Sequence, residues 1–244
     1  GFSPSSLETY IKNPKEYYFQ KLLNLKKEKI SAGSADHKTI GLIFHETIEA
    51  LYKPFVGKYL EKNDLKDALL NINKTLKHTF SVNNEMFNSG KNFILFEVIK
   101  SALQTLIQNE KKELNKGNKI KIIALEKPIK KELRLNNNTK VFIKGVIDRI
   151  DEKNGVIRII DYKTGLVSSS NLTIQDMTLI CKDTLRTKAM QLMCYAWMYY
   201  KITKCEKILA GIISFRNLSK GIMRLKIKNS QSDLIDNLSI DSFE

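Results

Sequence analysis

The chain reads as an α/β protein: a mixed β-sheet flanked by helices, with a helical elaboration on its N-terminal side. Three observations predict this. Apolar residues recur at helical spacing through the first half, as far as about residue 116. From Lys119 to Lys163 the pattern changes to alternation rich in β-branched side chains. A helical stretch over 184–201 and two further strand-like runs then follow, an order that builds a sheet covered by helices.

The elements follow in turn. Ser5-Ser6-Leu7-Glu8 has the form of a capping box, with Ser5 as N-cap and Glu8 at N3, opening a short helix that stops before Pro14. Lys15 to Leu25 is a second helix, rich in aromatics, and the polar residues 26–38 are a loop. Ile40, Phe44, Ile48 and Leu51 mark a helix from Thr39 to about Val56. Leu65, Leu69, Ile72 and Leu76 mark another over 64–82, and Ile94, Val98, Leu103 and Leu106 a third over 91–116. Residues 119–134, 140–150 and 156–163 are strands, with Asn154-Gly155 a hairpin signal between the last two. Residues 164–182 are a loop or lid, and 207–215 and 221–227 are strands. With no internal repeat and no linker, residues 1–244 are expected to form a single domain. It would hold a helical insertion over about 57–117 and a catalytic β-core over about 119–228.

Composition narrows the class. Of 244 residues, 42% are hydrophobic and 27% charged, which excludes wholesale disorder. With 11 Gly and 4 Pro, collagen-like and low-complexity classes fall away. No apolar run is long enough to span a membrane, and no signal peptide opens the chain. Three cysteines, Cys181, Cys194 and Cys205, are odd in number and lack metal-ligand spacing, so reduced thiols and a cytoplasmic setting are expected. The opening Gly1-Phe2-Ser3, without Met, suggests a domain cut from a longer protein. The net charge of +15 favours a nucleic-acid partner, though a Lys-rich solvated surface is the plainer alternative. Residues 101–144 carry 11 basic and 4 acidic side chains, and residues 204–228 carry 7 and 1.

The hairpin is the most informative feature. A two-residue turn at Asn154-Gly155 would set Asp148 directly opposite Asp161, with Cβ atoms roughly 5 Å apart. Alternation puts Asp161 and Lys163 on one face and Tyr162 on the other. Asp151 and Arg158, on that other face, read as an ordinary solvated pair. Opposed carboxylates repel, and a shared divalent cation, Mg²⁺ or Mn²⁺, would offset that cost. Lys163 would then stand beside a reacting phosphate. The alternative is an Asp–Lys–Asp cluster that only fixes the sheet, and the hairpin alone does not choose between them.

Two helices add candidates. Gly41, His45 and Glu49 share a face, and Gly41 would let a neighbouring backbone approach within a turn of His45. Gln191 and Tyr195 share another face, although a core helix with one buried amide explains them as well. Glu126, ending the apolar run from Ile122 to Leu125, is a candidate supporting acid or an exposed strand Glu.

Gly-x-x-x-His (41–45), Gly-x-x-Asp-Arg-Ile-Asp (145–151), Asp-Tyr-Lys-Thr-Gly (161–165) and Gln-x-x-x-Tyr (191–195) together resemble the PD-(D/E)XK nuclease superfamily, in its RecB-like and AddB-like branch. The opening Ser-Pro-Ser-Ser-Leu-x-x-Tyr-x-x-Asn-Pro-x-x-Tyr-Tyr-Phe (3–19) is similar to the start of that module. Each motif alone is weak, but four in order with the 13-residue spacing from Asp148 to Asp161 are strong. The resemblance implies a restriction-endonuclease-like fold and a Mg²⁺- or Mn²⁺-dependent deoxyribonuclease acting on DNA ends or single strands in double-strand-break repair. It implies His45, Asp148, Asp161 and the Tyr162 carbonyl as metal ligands, Lys163 as the catalytic cation, and Gln191 and Tyr195 lining the site. No iron–sulfur cluster is expected, because Asn13 stands where several relatives carry Cys. No Gly-x-x-x-x-Gly-Lys-Ser/Thr is present, so a helicase motor would lie elsewhere in the parent polypeptide or in a partner. The rival readings are a silent DNA-binding or scaffold module and an RNA-directed nuclease.

Overall fold

The computed structural model describes residues 1–25, 37–83, 90–205, 207–228 and 234–235; nearly all of the polar stretch read as a loop over 26–38 lies outside them. Helix α1 (Pro4–Lys12) begins earlier than the expected capping box. Ser3 is its N-cap and Ser6 sits at N3, each backbone N–H donating to the other's side chain at 2.9 and 3.1 Å respectively. Pro4 explains the shift, since its fixed φ and missing N–H suit the first helical position. Glu8 is thereby free to accept from Lys12 (2.5 Å) and from Thr187 (3.0 Å), which ties α1 to a later helix. The expected second helix is short: α2 covers Pro14–Tyr17 and runs into a π-helical turn at Tyr18–Leu22.

Helix α3 spans His37–Tyr52 and stops ahead of Pro54, whose ring cannot continue it. Helices α4 (Lys62–Val82) and α5 (Gly90–Asn115) follow, then β1 (Ile120–Arg134), β2 (Lys140–Lys153) and β3 (Val156–Lys163). Within the expected loop or lid lies a two-residue strand, β4 (Thr173–Ile174). Helix α6 (Thr187–Thr203) leads to β5 (Ile208–Ser214). The run 221–227, expected as one strand, is divided between β6 (Met223–Arg224) and β7 (Lys226–Lys228), with β8 at Leu234–Ile235.

The main sheet has the order β1-β2-β3-β5-β6, and β3 and β5 are its parallel pair. A parallel pair needs a crossover, and α6 supplies it. The division at 221–227 arises because β6 closes the main sheet on β5 while β7 pairs with β4 and β8 in a small second sheet.

Two cores cover the two faces of the main sheet. On one, Ile43, Phe44, Leu76 and Leu103 of α3–α5 pack on Ile120, Ile160, Tyr162 and Ile213. On the other, Ala189, Leu192 and Ala196 of α6 pack on Ile147, Ile150, Ile159 and Ile212. No helix among the described residues is long and apolar enough to cross a membrane.

Asp151 and Arg158 are not the solvated pair the hairpin suggested; they are 0% and 7% exposed. Helix α5 lies over them and brings Glu110. Arg158 donates to both Asp151 oxygens (2.6 and 2.8 Å), and Arg149 donates to Asp151 (2.7 Å) and to Glu110 (2.6 Å). The Tyr52 hydroxyl donates to Glu110 at 2.6 Å. Burial alone would lower the Arg149 pKa, but Glu110 and Asp151 outweigh it and raise it well above the ordinary value. Removing one member would strand buried charge, so Asp151→Ala should cost roughly 3–5 kcal/mol. Urea unfolding of the variant measures that loss; a change below about 1 kcal/mol would contradict the assignment.

Candidate active site

The β2–β3 hairpin follows the expected register from Lys153↔Val156 to Arg149↔Ile160, and its turn residues Asn154 and Gly155 have φ of +52° and +83°, as a primed turn requires. The ladder then stops one step short of the expected Asp148–Asp161 pair. Asp161 is instead paired on its other side with Ile212 of β5. On the β1 side the ladder passes from Leu125↔Arg149 to Lys127↔Ile147 and again omits Asp148. Ile147 and Ile150, three positions apart, both enter the α6-side core. Strict alternation therefore slips at Asp148, whose Oδ2 accepts from the Tyr162 backbone N–H at 2.7 Å.

Glu126 lies in the matching gap in β1, beyond a register shift between Ile122 and Ala124, and adopts a left-handed φ of +42°. That conformation is costly for a residue with a Cβ. It accompanies a carboxylate aimed at helix α3, with Glu126 Oε1 lying 3.4 Å from His45 Nδ1. Asp148 Oδ2 is 3.5 Å from the same nitrogen, and His45 Nε2 is 3.2 Å from the Tyr162 carbonyl oxygen. The side chains of His45, Glu126 and Asp148 each offer a ligand atom, and these atoms lie within 4.8 Å of one another. Asp161, on the neighbouring strand, turns to the Lys163 ammonium, 3.0 Å from Oδ1 and 2.8 Å from Oδ2. The buried Oδ2 of Asp161 has that ion contact but no well-directed hydrogen bond.

The charges perturb one another. Burial, then repulsion from Asp161, holds the Asp148 carboxyl well above the usual carboxylate range, against the pull of His45 and the Tyr162 N–H. Burial alone would lower His45, but Glu126, Asp148 and Asp161 together raise it. Lys163 is likewise raised, since Asp161 and Asp148 outweigh its burial.

Helix α6 forms the next wall. Gln191 Nε2 donates to the Tyr195 hydroxyl at 3.2 Å, and both residues are buried. Burial pushes the Tyr195 phenol up to about 12. A Cβ placed on Gly145 would meet Tyr195 Cε1 at 2.6 Å, so the Gly of Gly-x-x-Asp is where the ring crosses the sheet. Gly41 behaves differently from expectation: a Cβ there would meet nothing within 4 Å among the described residues, so no described backbone uses it. Glu49 pairs with Lys53 (3.7 Å) rather than joining the cluster. Tyr162 stands on the face opposite Asp161 and Lys163, as alternation predicts, and its hydroxyl lies 3.4 Å from Arg149 Nη1, a contact the sequence did not show.

A five-stranded mixed sheet between helical layers, with an acid–acid–lysine series where its ladders break, defines a restriction-endonuclease-like nuclease fold. Residues 1–235 match the PD-(D/E)XK nuclease superfamily, and the chain belongs to it. It is 27% identical over 216 residues to an uncharacterized protein of Rickettsia conorii, covering 79% of this chain and 23% of that one. It is 29% identical over 179 residues to a Clostridium perfringens (strain SM101) protein named as a subunit of an ATP-dependent helicase/deoxyribonuclease, covering 68% and 15%. A protein of the same name from Streptococcus pyogenes serotype M12 is 29% identical over 166 residues, covering 66% and 14%. The chain spans less than a quarter of the length of these relatives.

Two stability measurements test this geometry. Gly145→Ala should destabilise by about 1–3 kcal/mol through overpacking, and Gly145→Ala with Tyr195→Ala should fall short of additivity because the clash is then gone. Full additivity would mean that the ring does not occupy that space. Glu126→Gly should raise the unfolding free energy in EDTA by about 1 kcal/mol by relieving the left-handed backbone; a loss would show that the conformation carries no strain.

Proposed function

We propose that the chain is a divalent-cation-dependent deoxyribonuclease domain, using Mg²⁺ or Mn²⁺ to hydrolyse phosphodiester bonds at DNA ends or in single strands during double-strand-break repair. The observation that carries this reading is the convergence of His45, Glu126 and Asp148 beside the Asp161–Lys163 pair. The donor set fits such an ion. It is rich in hard oxygens, and Asp161 keeps a buried oxygen without a directed hydrogen bond. Asp148, Asp161, His45 and Glu126, with the Tyr162 carbonyl, would hold it. When bound, the ion would polarise the phosphoryl oxygen and help form the attacking hydroxide.

The chain's own groups do the rest. The Lys163 ammonium, fixed by Asp161, orients the attacking water and stabilises charge developing on phosphorus. Gln191 and Tyr195 line the site and help place the strand. Lys and Arg of 101–144 and 204–228 follow the phosphates without reading bases. The relatives named helicase/deoxyribonuclease support a setting in which a motor, elsewhere in the parent polypeptide or in a partner, feeds DNA to this domain. We read residues 1–244 as one nuclease domain with a helical insertion, working in the cytoplasm.

Cleavage of end-labelled linear duplex and single-stranded DNA should require Mg²⁺ or Mn²⁺ and stop in EDTA. Lys163→Ala should lower it at least about 10²-fold while leaving DNA binding in EDTA nearly unchanged. DNA bound but not cut by the wild type would favour a silent module. Cleavage of matched RNA in preference to DNA would move the substrate.

A further inference from the structure

The β1–β2 hairpin continues past Glu126 and Asp148 and forms one wall of an open cleft of about 640 Å³, within the size range of small-ligand sites. Its lining is largely apolar: Pro128 lies opposite Val146 in the ladder, and Ile129, Gly145 and Tyr195 line it from the α6 side. Its rim is cationic and polar, formed by Lys130, Lys144 and Ser5.

The two lysines are unusual in their placement. Lys130 and Lys144 are direct cross-strand partners, so two cationic side chains leave the sheet from Cβ atoms about 5 Å apart. Among the described residues neither has a carboxylate within ion-pair distance. Lys130 instead rides 4.2 Å above the Phe142 ring. The edge of β2 beside them is covered by the N-terminal segment: the Phe2 N–H donates to Phe142 O (2.7 Å), and the Lys144 N–H donates to Phe2 O (2.8 Å). That pairing delivers Ser5 to the rim. An uncompensated pair of opposed cations over an apolar floor suits a ligand carrying both phosphate and a flat apolar face.

The cleft lies along the same two strands as the acidic cluster. Pro128 and Val146 lie two residues from Glu126 and Asp148 along their strands, about 7 Å at the strand rise, and the lysine pair lies about 13 Å away. Bases reach an apolar floor only when unpaired, so the chemistry selects a single strand over a duplex.

We propose that this cleft is a subsite for unpaired DNA, taking the nucleotides beside the bond to be cut, with Lys130 and Lys144 on phosphate oxygens and bases against Pro128 and Val146. The inference rests on the nuclease reading for its register but is tested by binding alone.

The test uses a fluorescent single-stranded oligonucleotide titrated with the whole chain in EDTA, between 50 and 200 mM salt. Lys130→Gln with Lys144→Gln should weaken binding at least about tenfold and flatten the log–log salt slope by about 1.4, from 0.7 per phosphate contact on a single strand. The exposed α4 pair Lys74→Gln with Lys77→Gln, the same charge change elsewhere, should alter the slope much less. Removing the opposed cations should leave the unfolding temperature unchanged or raised, which separates lost contacts from lost fold. Val146→Ser should weaken binding without altering the slope. An unchanged slope in Lys130→Gln/Lys144→Gln, an equal change in the α4 control, or no single-strand binding by the wild type would each overturn the subsite. Were the wild type to cleave DNA with an unchanged slope in the double variant, the subsite would fall and the nuclease reading stand. The predicted binding losses without metal-dependent cleavage would leave the subsite standing and remove the nuclease reading.

Discussion

Asp148 occupies a place where the ladders on both sides of β2 omit it, and much of the structure is arranged around that break. A strand inside a sheet ordinarily commits its backbone groups to its neighbours and sends side chains to alternate faces. Here the alternation slips, so Ile147 and Ile150 serve the same core while the carboxylate between them meets the Tyr162 N–H. A neighbouring strand answers with Glu126 in a left-handed conformation, and α3 answers with His45. The break in the ladder is the means by which side chains from β1, β2, β3 and α3 converge.

The two cores hold that arrangement in place. Arg149 and Asp151 stand on the face away from α6, locked with Glu110, Arg158 and Tyr52 into a buried ionic network. Tyr162 links this network to the acidic cluster, since its hydroxyl meets Arg149 while its backbone N–H and C=O face Asp148 and His45. A buried ion network adds little to stability relative to an apolar core, but it fixes geometry when every member is paired. Rigid backbone at Tyr162 is what the cluster requires, because small displacements there would separate the donor atoms.

Most of the architecture was legible in the sequence, for physical reasons that differ by element. Asn154-Gly155 set the turn type, and the turn set the register, so the pairing as far as Arg149↔Ile160 could be anticipated. The end of that register could not, because the slip at Asp148 depends on which of Ile147 and Ile150 the α6 core accepts. Glu126 was ambiguous for a similar reason: a strand Glu followed by Lys-Pro looks exposed until the register shift near Ile123 turns it inward. Asp151 and Arg158 looked solvated because alternation reports a face and not what covers it; α5 covers this one. His45 stood out through its family motif and its apolar stretch, but the 81 residues separating it from Glu126 leave no local trace of their contact. The N-cap moved from Ser5 to Ser3 because Pro4 outweighed the Ser–Glu pattern.

The proposed role of this cluster is that of a cation site and not a salt-bridge knot. Repulsion between buried carboxylates, an Asp161 oxygen held by the Lys163 ion contact alone and three ligand atoms within 4.8 Å all favour a positive charge beyond His45 and Lys163. A crystal of the chain grown with millimolar Mn²⁺, recorded at a wavelength where manganese scatters anomalously, tests this directly. The expected result is a peak bounded by His45, Glu126 and Asp148 with Asp161 at its edge. A fully ordered cluster without a peak there, or Mn²⁺ bound only elsewhere on the surface, would contradict it.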